Sequence, residues 1–382
     1  MKIDEKILKE IETCVRCGYC QAYCPTYQAT RHEGYNARGR MQLAKAVMNG
    51  DDISDLFRTR INQCLLCGSC SEHCPPGVHI PEIAERLRCA LNEKYGLTAV
   101  GERMRKNITE SGNVNGDEQK NRLLWLANLS EKYNVKINAK AEYLYLPGCV
   151  SSLYPSSYAV VQSFAGLLCI SGTDFTVLGE NELCCGYPLF IGGMESEAKS
   201  VARENVKCVK ELGIDKIVTT CPSCYYMWKH HYPELLGEET GLKVIHGVEL
   251  LAELCENGKL HPRELNETVT YHDPCDLGRK SGIFESPRKI LTSIPGITFK
   301  EMRKNRVDAV CCGGGGNLES NDPVLSGKVS ALRISQAAET GATTIVSCCQ
   351  QCRRTLQSGA RTTRTRIKVA DITELLFKLC EE

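Results

Sequence analysis

Through the last two-thirds of the chain, short apolar or β-branched runs alternate with stretches of helical period. Tyr143–Leu146 and Thr268–Tyr271 read as strands, as do Lys216–Thr219 and Thr344–Ser347. Between them, residues 196–212 place Ala198, Val201, Val206 and Val209 on one helical face. Residues 324–339 do the same with Val329, Leu332 and Ile334. Strand–helix–strand order, met twice, predicts two α/β units with parallel strands. Upstream the pattern is helical only. Residues 38–48 predict a helix stopped by Asn49-Gly50, and residues 81–93 a second one with Ile83, Leu87 and Leu91 inward. Residues 107–121, rich in Asn, Gly, Asp and Glu, read as a loop. Residues 123–127 then give a short apolar helix whose Trp125 anchors a connector. The expected division is a helical domain at 1–105, a connector at 106–140, and two α/β domains at 141–262 and 263–382.

The 382 residues carry a formal charge of +1, which offers no basis for a nucleic-acid surface. No stretch of about 18 apolar residues occurs, so no membrane span is expected. The start, MKIDEKILKEIE, lacks the apolar core of a signal peptide. The 24 cysteines are therefore expected in a reducing cytosol, where such spacings favour metal thiolates over disulfides. An oxygen-poor, anaerobic habitat suits that load of sulfur.

Two motifs in the helical part define the chemistry. Cys14, Cys17, Cys20 and Cys24-Pro25 repeat the spacing of Cys64, Cys67, Cys70 and Cys74-Pro75. In two-cluster ferredoxins such a run gives three ligands to one [4Fe–4S] cubane and its fourth cysteine to the other. Cys14, Cys17, Cys20 and Cys74 are expected to hold one cubane; Cys64, Cys67, Cys70 and Cys24 are expected to hold its neighbour. The tight Cys-x-x-Cys-x-x-Cys triple argues against a structural Cys₄ zinc site. Arginines on the intervening helices read mostly as solvated, and Cys89 reads as a small buried apolar residue.

The α/β part carries a second duplicated pattern. Cys149, Cys184-Cys185-Gly186 and Cys221-x-x-Cys224 recur as Cys275, Cys311-Cys312-Gly313 and Cys349-x-x-Cys352, offset by 126 to 128 residues. All ten fall at strand carboxyl ends or in the following loops, where open α/β sheets place ligands. Two sets of five thiolates on a duplicated scaffold suit two facing metal clusters. Adjacent cysteines fit one cubane poorly; they suit thiolates that serve different irons or bridge two. Gly186, Gly192, Gly193 and the glycines 313–316 allow close backbone approach to such groups. No Lys-Ser or Lys-Thr follows 313–316, which rejects a phosphate loop.

With these motifs, among them Tyr271-His-Asp-Pro-Cys275-Asp-Leu-Gly-Arg279 and Cys311-Cys-Gly-Gly-Gly-Gly316, the chain resembles the CCG-domain iron–sulfur proteins of the heterodisulfide reductase D type. The resemblance covers residues 14–352. It implies a fusion of a small ferredoxin-like subunit with a two-CCG-domain catalytic subunit. It also implies a noncubane [4Fe–4S] cluster on each five-cysteine set, with both facing a cavity where the coenzyme M–coenzyme B disulfide of methanogenesis is cleaved. Two cubane and two noncubane clusters are thus expected. The implied function is an iron–sulfur oxidoreductase that reduces this or a related disulfide. A flavoprotein, a hydrogenase or a membrane b-type cytochrome is the implied partner, which would hold the chain in the cytoplasm or at the cytoplasmic membrane face. The rival expectation is an electron-transfer subunit that serves glycolate, lactate or glycerol-3-phosphate dehydrogenases, or electron-transfer flavoproteins, towards quinone. One departure stands out: relatives commonly carry His after Cys275, and here Asp276 follows. His272 is then the nearest candidate proton donor. Arg279 and Lys280 are expected to meet an anionic substrate or to face solvent, and His230 and His231 to be surface or packing residues. Cys169, Cys208, Cys255, Cys348 and Cys380 lie outside the pattern.

Overall fold

A computed structural model describes residues 5–49 and 54–381. The N-terminal part is helical. Its main helices Glu5–Thr13, Ala37–Met48, Asp55–Asn62 and Ile80–Tyr95 bury Ile11, Met41, Phe57, Ile61, Ile83 and Leu87 together, and a further helix, Ala99–Ser111, buries Ile108 in the core of the α/β part. Asn36 caps Ala37–Met48 through Gly39 N–H, and Asn49 ends it; Gly50 lies outside the described residues. The loop expected from residue 107 begins later. Thr98 caps Ala99–Ser111, and only at Gly112, left-handed at φ 71°, does the helix stop. The connector helix is a 3₁₀ turn, Gln119–Asn128; Trp125 is buried, and its carbonyl accepts from Gln162 Nε2.

Two parallel sheets follow. The first contains β1 (Lys136–Ile137), β2 (Tyr143–Leu146), β3 (Phe175–Val177), β4 (Lys216–Thr219) and β5 (Lys243–His246) in the order β1-β3-β2-β4-β5. The second contains β6 (Thr268–Tyr271), β7 (Thr298–Phe299), β8 (Thr344–Ser347) and β9 (Lys368–Asp371) in the order β7-β6-β8-β9. Apart from β1 the orders coincide, as a duplication requires. The central strands are apolar or β-branched on both faces because helices cover both sides of a parallel sheet. Helix Glu195–Leu212 buries Ala198, Val201, Ala202, Val206 and Val209; helix Pro323–Ala338 is its counterpart, capped by Asp322.

The repeats exchange elements. Helix Gly247–Glu256 of the first packs on Glu285–Ser293 of the second, and the final helix Ile372–Cys380 packs on Tyr158–Ile170 of the first. Gly166 makes the second contact possible, since a Cβ there would lie 2.2 Å from the Phe377 ring. Both exchanged helices begin in a capping box, His246 with Glu249 and Asp371 with Glu374.

The helical part wedges against both repeats. Gly316, at φ 62°, brings its loop against the Cys64–Leu65 backbone; a Cβ would sit 2.2 Å from Cys64 O. Gly193, at φ 77°, does the same against Arg88 and Cys89. Gly193 and Gly316 thus permit inter-domain backbone approach, while Gly186 N–H and Gly314 N–H donate to Cys184 Sγ and Cys312 Sγ. Because backbone cannot yield as a flexible side chain can, Gly316→Ala is expected to cost about 2–4 kcal/mol. Anaerobic urea unfolding tests this; a loss under about 0.5 kcal/mol would contradict it.

Candidate metal centres

The two ferredoxin-type loops fold alike. Arg16 (φ 61°) and Leu66 (φ 51°) hold the same left-handed place within Cys-x-x-Cys, a strained conformation for either residue. Cys14, Cys17, Cys20 and Cys74 line one hollow. Cys24, Cys64, Cys67 and Cys70 line a second. Each motif therefore sends its fourth cysteine across to the other's triple. Cys17 is exposed, whereas Cys24, Cys64 and Cys67 are buried. Burial raises the Cys20 thiol to about 11. The Cys67 thiol is lowered to about 6 by its hydrogen bond with Cys311, with Arg279 adding to the effect.

Each five-cysteine set converges at the carboxyl edge of its sheet. Cys149 follows β2 in the first turn of helix Gly148–Leu153, and Cys221, after β4, caps Pro222–Tyr226. In the second repeat Cys275 follows β6, and Cys349, after β8, caps Gln350–Thr362 with its Sγ accepting from Cys352 N–H at 3.4 Å. The thiols form matching hydrogen-bonded chains. In the first, Cys149 meets Cys184, Cys184 meets Cys185, and Cys224 joins Cys185 to Cys221. In the second, Cys275 meets Cys311, Cys311 meets Cys312, and Cys352 joins Cys312 to Cys349. The second cysteine of each adjacent pair is the acidic one. Hydrogen bonds from Cys184 and Cys224 lower Cys185 to about 6; those from Cys311 and Cys352 lower Cys312, with His272 assisting. A thiolate is the metal-binding form, so both sets are prepared alike.

Nine of these ten cysteines, all but Cys311, line one cavity between the repeats. Cys311 turns to Cys67, linking the second set to the buried ferredoxin hollow. All 24 cysteines are free thiols.

Several residues around the site gave no clear signal in the sequence. Arg122, from the connector, is 1% exposed; its Nη2 donates to Cys149 Sγ at 3.3 Å, its Nη1 to Ser152, and Glu182 lies 3.4 Å away. Arg88 is equally buried and donates to carbonyls of Ile61, Asn62, Cys64, Ile191 and Gly316, tying the helical part to both repeats. Its signal was faint: an arginine inside the apolar stripe of Ile83, Ala84, Leu87 and Leu91. Arg40 is buried too, so the reading of these helix arginines as solvated is corrected.

Asp276 sits on the cavity wall. Tyr187 OH (3.1 Å) and Lys280 Nζ (2.9 Å) reach its Oδ1, and Ser223 Oγ (2.7 Å) donates to its Oδ2. Lys280 is thus paired with Asp276, with its side chain bordering a separate outer cleft. Arg279 likewise donates to the carbonyls of Cys67, Val307 and Ala309. His272 lies behind Cys312, off the cavity wall; Arg333 Nε–H donates to its Nδ1 at 3.0 Å, which leaves the other ring nitrogen for the Cys312 thiol. It meets the Cys312 thiol from behind and does not line the cavity. Cys348 bonds Tyr271 OH at 2.7 Å away from the cavity, and His231 packs on Phe190 and Tyr226. Cys89, Cys169, Cys208, Cys255 and Cys380 are half-buried; for Cys89, expected to be buried, this is a correction.

The donor set fits iron–sulfur groups. The thiols are packed sulfur to sulfur, and Arg279 Nη2 and Arg333 Nη2 are buried donors without a protein partner beside them. Bound sulfide offers acceptors for such donors, which otherwise cost about 1–3 kcal/mol each.

Arg122→Met removes a positive charge from Cys149 and strands buried Glu182. The reduction potential of the first site is expected to fall by about 60 mV or more, the equivalent of one charge-assisted hydrogen bond. Redox titration followed by electron paramagnetic resonance reads the shift; an unchanged or higher potential would contradict it. Glu85, on helix Ile80–Tyr95, is raised by burial from 4.5 to about 7. The native state then holds its proton where the unfolded chain has lost it, so stability declines as pH climbs from about 4.5 through about 7. Glu85→Gln is expected to raise the melting temperature at pH 8.5 and to leave it unchanged near pH 4.5.

A helical four-iron dicluster region followed by duplicated cysteine-rich α/β repeats defines the class: an iron–sulfur oxidoreductase. Residues 10–78 match the 4Fe-4S dicluster domain, and residues 143–229 and 269–357 match the cysteine-rich domain. The chain is 34% identical over 391 residues to the D-type subunit of the dihydromethanophenazine:CoB–CoM heterodisulfide reductase of Methanosarcina mazei, covering 97% of this chain and 94% of that one. It belongs to that family of D-type heterodisulfide reductase subunits. It is also 27% identical to the EtfAB:quinone oxidoreductase of Syntrophomonas wolfei, over 98% of this chain and 59% of the relative. The crystal structure of a hypothetical protein from Helicobacter pylori shares the fold, with a TM-score of 0.65 over 100% of this chain and 73% of that one at 9% identity. No helix among the described residues is long and apolar enough to cross a membrane.

Proposed function

We propose that the chain reduces a disulfide held between its two five-cysteine sets. The observation that carries this reading is the shared cavity: Cys149, Cys184, Cys185, Cys221 and Cys224 face Cys275, Cys312, Cys349 and Cys352 across one space. We assign a noncubane [4Fe–4S] cluster to each set of five, with Cys311 completing the second, and cubanes to Cys14, Cys17, Cys20, Cys74 and to Cys24, Cys64, Cys67, Cys70. When bound, such clusters supply one-electron steps, and two sites facing one bond supply both electrons. The balance is one S–S bond broken, two electrons and two protons taken up, and two thiols released.

The protein's own residues set the conditions. Exposed Cys17 puts the outer hollow within reach of a partner, and the Cys67–Cys311 contact joins the inner hollow to the second set. Arg122 holds Cys149, and His272 holds Cys312. The electron donor is a partner subunit: a flavoprotein, a hydrogenase or a b-type cytochrome, consistent with a relative named as one subunit of a reductase. The coenzyme M–coenzyme B disulfide is the substrate class this kinship offers first.

The test is a titration of the reduced protein with that disulfide and with simple disulfides. A substrate-induced paramagnetic signal with thiol release supports the reading. Neither signal nor thiol, with fast electron exchange to a flavoprotein, favours the second reading: an electron-transfer subunit that delivers electrons towards quinone. The likeness to the EtfAB:quinone oxidoreductase, over 98% of this chain and 59% of that relative, is what keeps that reading in view.

A further inference from the structure

We infer that Arg279 couples the inner ferredoxin hollow to the second five-cysteine set, one guanidinium shared by two iron–sulfur centres and setting the reduction potentials of both. This role rests on the cluster assignment above, since a cation between thiol sets without clusters has no potential to set.

Arg279 stands four residues after Cys275, in the turn that follows β6. Its Nε–H donates to Cys67 O at 2.7 Å, so it grips the ferredoxin loop at one of its candidate ligands. Its Nη1 donates to Val307 O at 3.1 Å and to Ala309 O at 2.6 Å, the stretch that runs into Cys311. The two loops held in this way meet where the Cys67 and Cys311 thiols hydrogen-bond each other.

The remaining nitrogen, Nη2, is buried and has no protein partner. In a side chain otherwise fully used, such a donor calls for an acceptor, and cluster sulfur beside it supplies one. Asp276, the nearest carboxylate in sequence, is paired with Lys280. Burial opposes the charge on Arg279, yet Cys67, Cys275 and Cys311 hold its proton more firmly than usual. Its counter-charges are therefore the sulfur groups of two centres at once.

The duplication isolates this feature. At the corresponding place, four residues after Cys149, the first repeat carries Leu153, buried in the apolar core. The first set's thiols bond one another, and Arg122 from the connector bonds Cys149. The repeat whose Cys311 meets the ferredoxin loop is the one that carries the arginine. A cation beside an iron–sulfur centre stabilises its reduced, more negative form and so raises its potential. A shared cation raises both neighbours together, so neither side of the Cys67–Cys311 contact traps an electron crossing it.

Redox titration of the anaerobic holoprotein, followed by paramagnetic resonance, tests the role. In Arg279→Gln the half-reduction points of two centres are expected to fall by about tenfold in equilibrium constant, about 59 mV for a one-electron centre. These are one of the two ferredoxin signals and the second-set signal, the one that Cys312→Ala lacks. The other ferredoxin signal and the first-set signal should stay within about threefold. Arg279→Lys keeps the charge as a compact point on a flexible stem and should hold all four within about threefold. If Arg279→Gln does not load iron, Arg279→Lys decides alone. The role is overturned by a fall under about threefold at either centre in Arg279→Gln, by an equal fall at all four, or by a fall beyond about threefold in Arg279→Lys. Each of these leaves the cluster assignment standing. An iron count that finds the second set empty in the native protein removes that assignment, and this role with it.

Discussion

Replacing Cys312 by alanine is expected to abolish disulfide reduction and to remove the second cavity centre while both ferredoxin centres survive. Cys312 is the most acid-prepared thiol of its set, bonded to Cys311 and Cys352 and backed by His272. Its loss leaves His272 and Arg333 buried against a methyl group, with no acceptor to replace the thiolate. The hollows at Cys14 and Cys24 draw nothing from it. Iron content is expected to fall by about four per chain, one cluster's worth, with the cubane resonance signals retained. Cys185→Ala should act in the same way on the first set, because the two thiol chains are built alike. Retention of all iron in Cys312→Ala would show that this cysteine is not a ligand.

Arg88→Met is expected to have the largest effect on cohesion. Its guanidinium bonds five backbone carbonyls from three parts of the fold, the strongest at 2.8 Å to Ile191 O. Methionine fills the stem's volume and donates nothing. Each stranded carbonyl costs about 1–3 kcal/mol, but some relax towards water, so a loss of about 3–5 kcal/mol is expected. Because unfolding of a multi-centre protein is not two-state, the informative readouts are the first urea transition and protease nicking between the helical part and the repeats. A loss under about 1 kcal/mol, without new nicking, would contradict the role.

The sequence was most legible where local chemistry and structure coincide. The four core strands Tyr143–Leu146, Lys216–Thr219, Thr268–Tyr271 and Thr344–Ser347 occur as read, because apolar runs bounded by cysteine loops leave little choice of element. The crossing of Cys24 and Cys74 between the ferredoxin hollows was legible from spacing alone, since fixed motif geometry sets it. What escaped depends on long-range packing. Arg88 and Arg122 look like solvent-facing charges in one dimension and become buried donors only when backbone from another domain arrives. The run 313–316 does border the cavity, but that Gly316 is also required by the Cys64 carbonyl, some 250 positions upstream, could not be read from the sequence. Lys280 stands four residues from Asp276, a spacing that permits an ion pair, but its burial depends on Tyr187 of the other repeat. The late start of the loop after Ser111 is a local matter: Gly112, with its left-handed backbone, ends the helix where the polar composition suggested an earlier break.

The cavity can act as proposed only if both five-cysteine sets carry clusters in addition to the two ferredoxin hollows. Iron and acid-labile sulfide, counted per chain on anaerobically purified protein, test it most directly. About sixteen irons with matching sulfide are expected, four clusters of four. About eight irons, confined to the ferredoxin loops, would leave the cavity thiols without clusters and contradict that assignment.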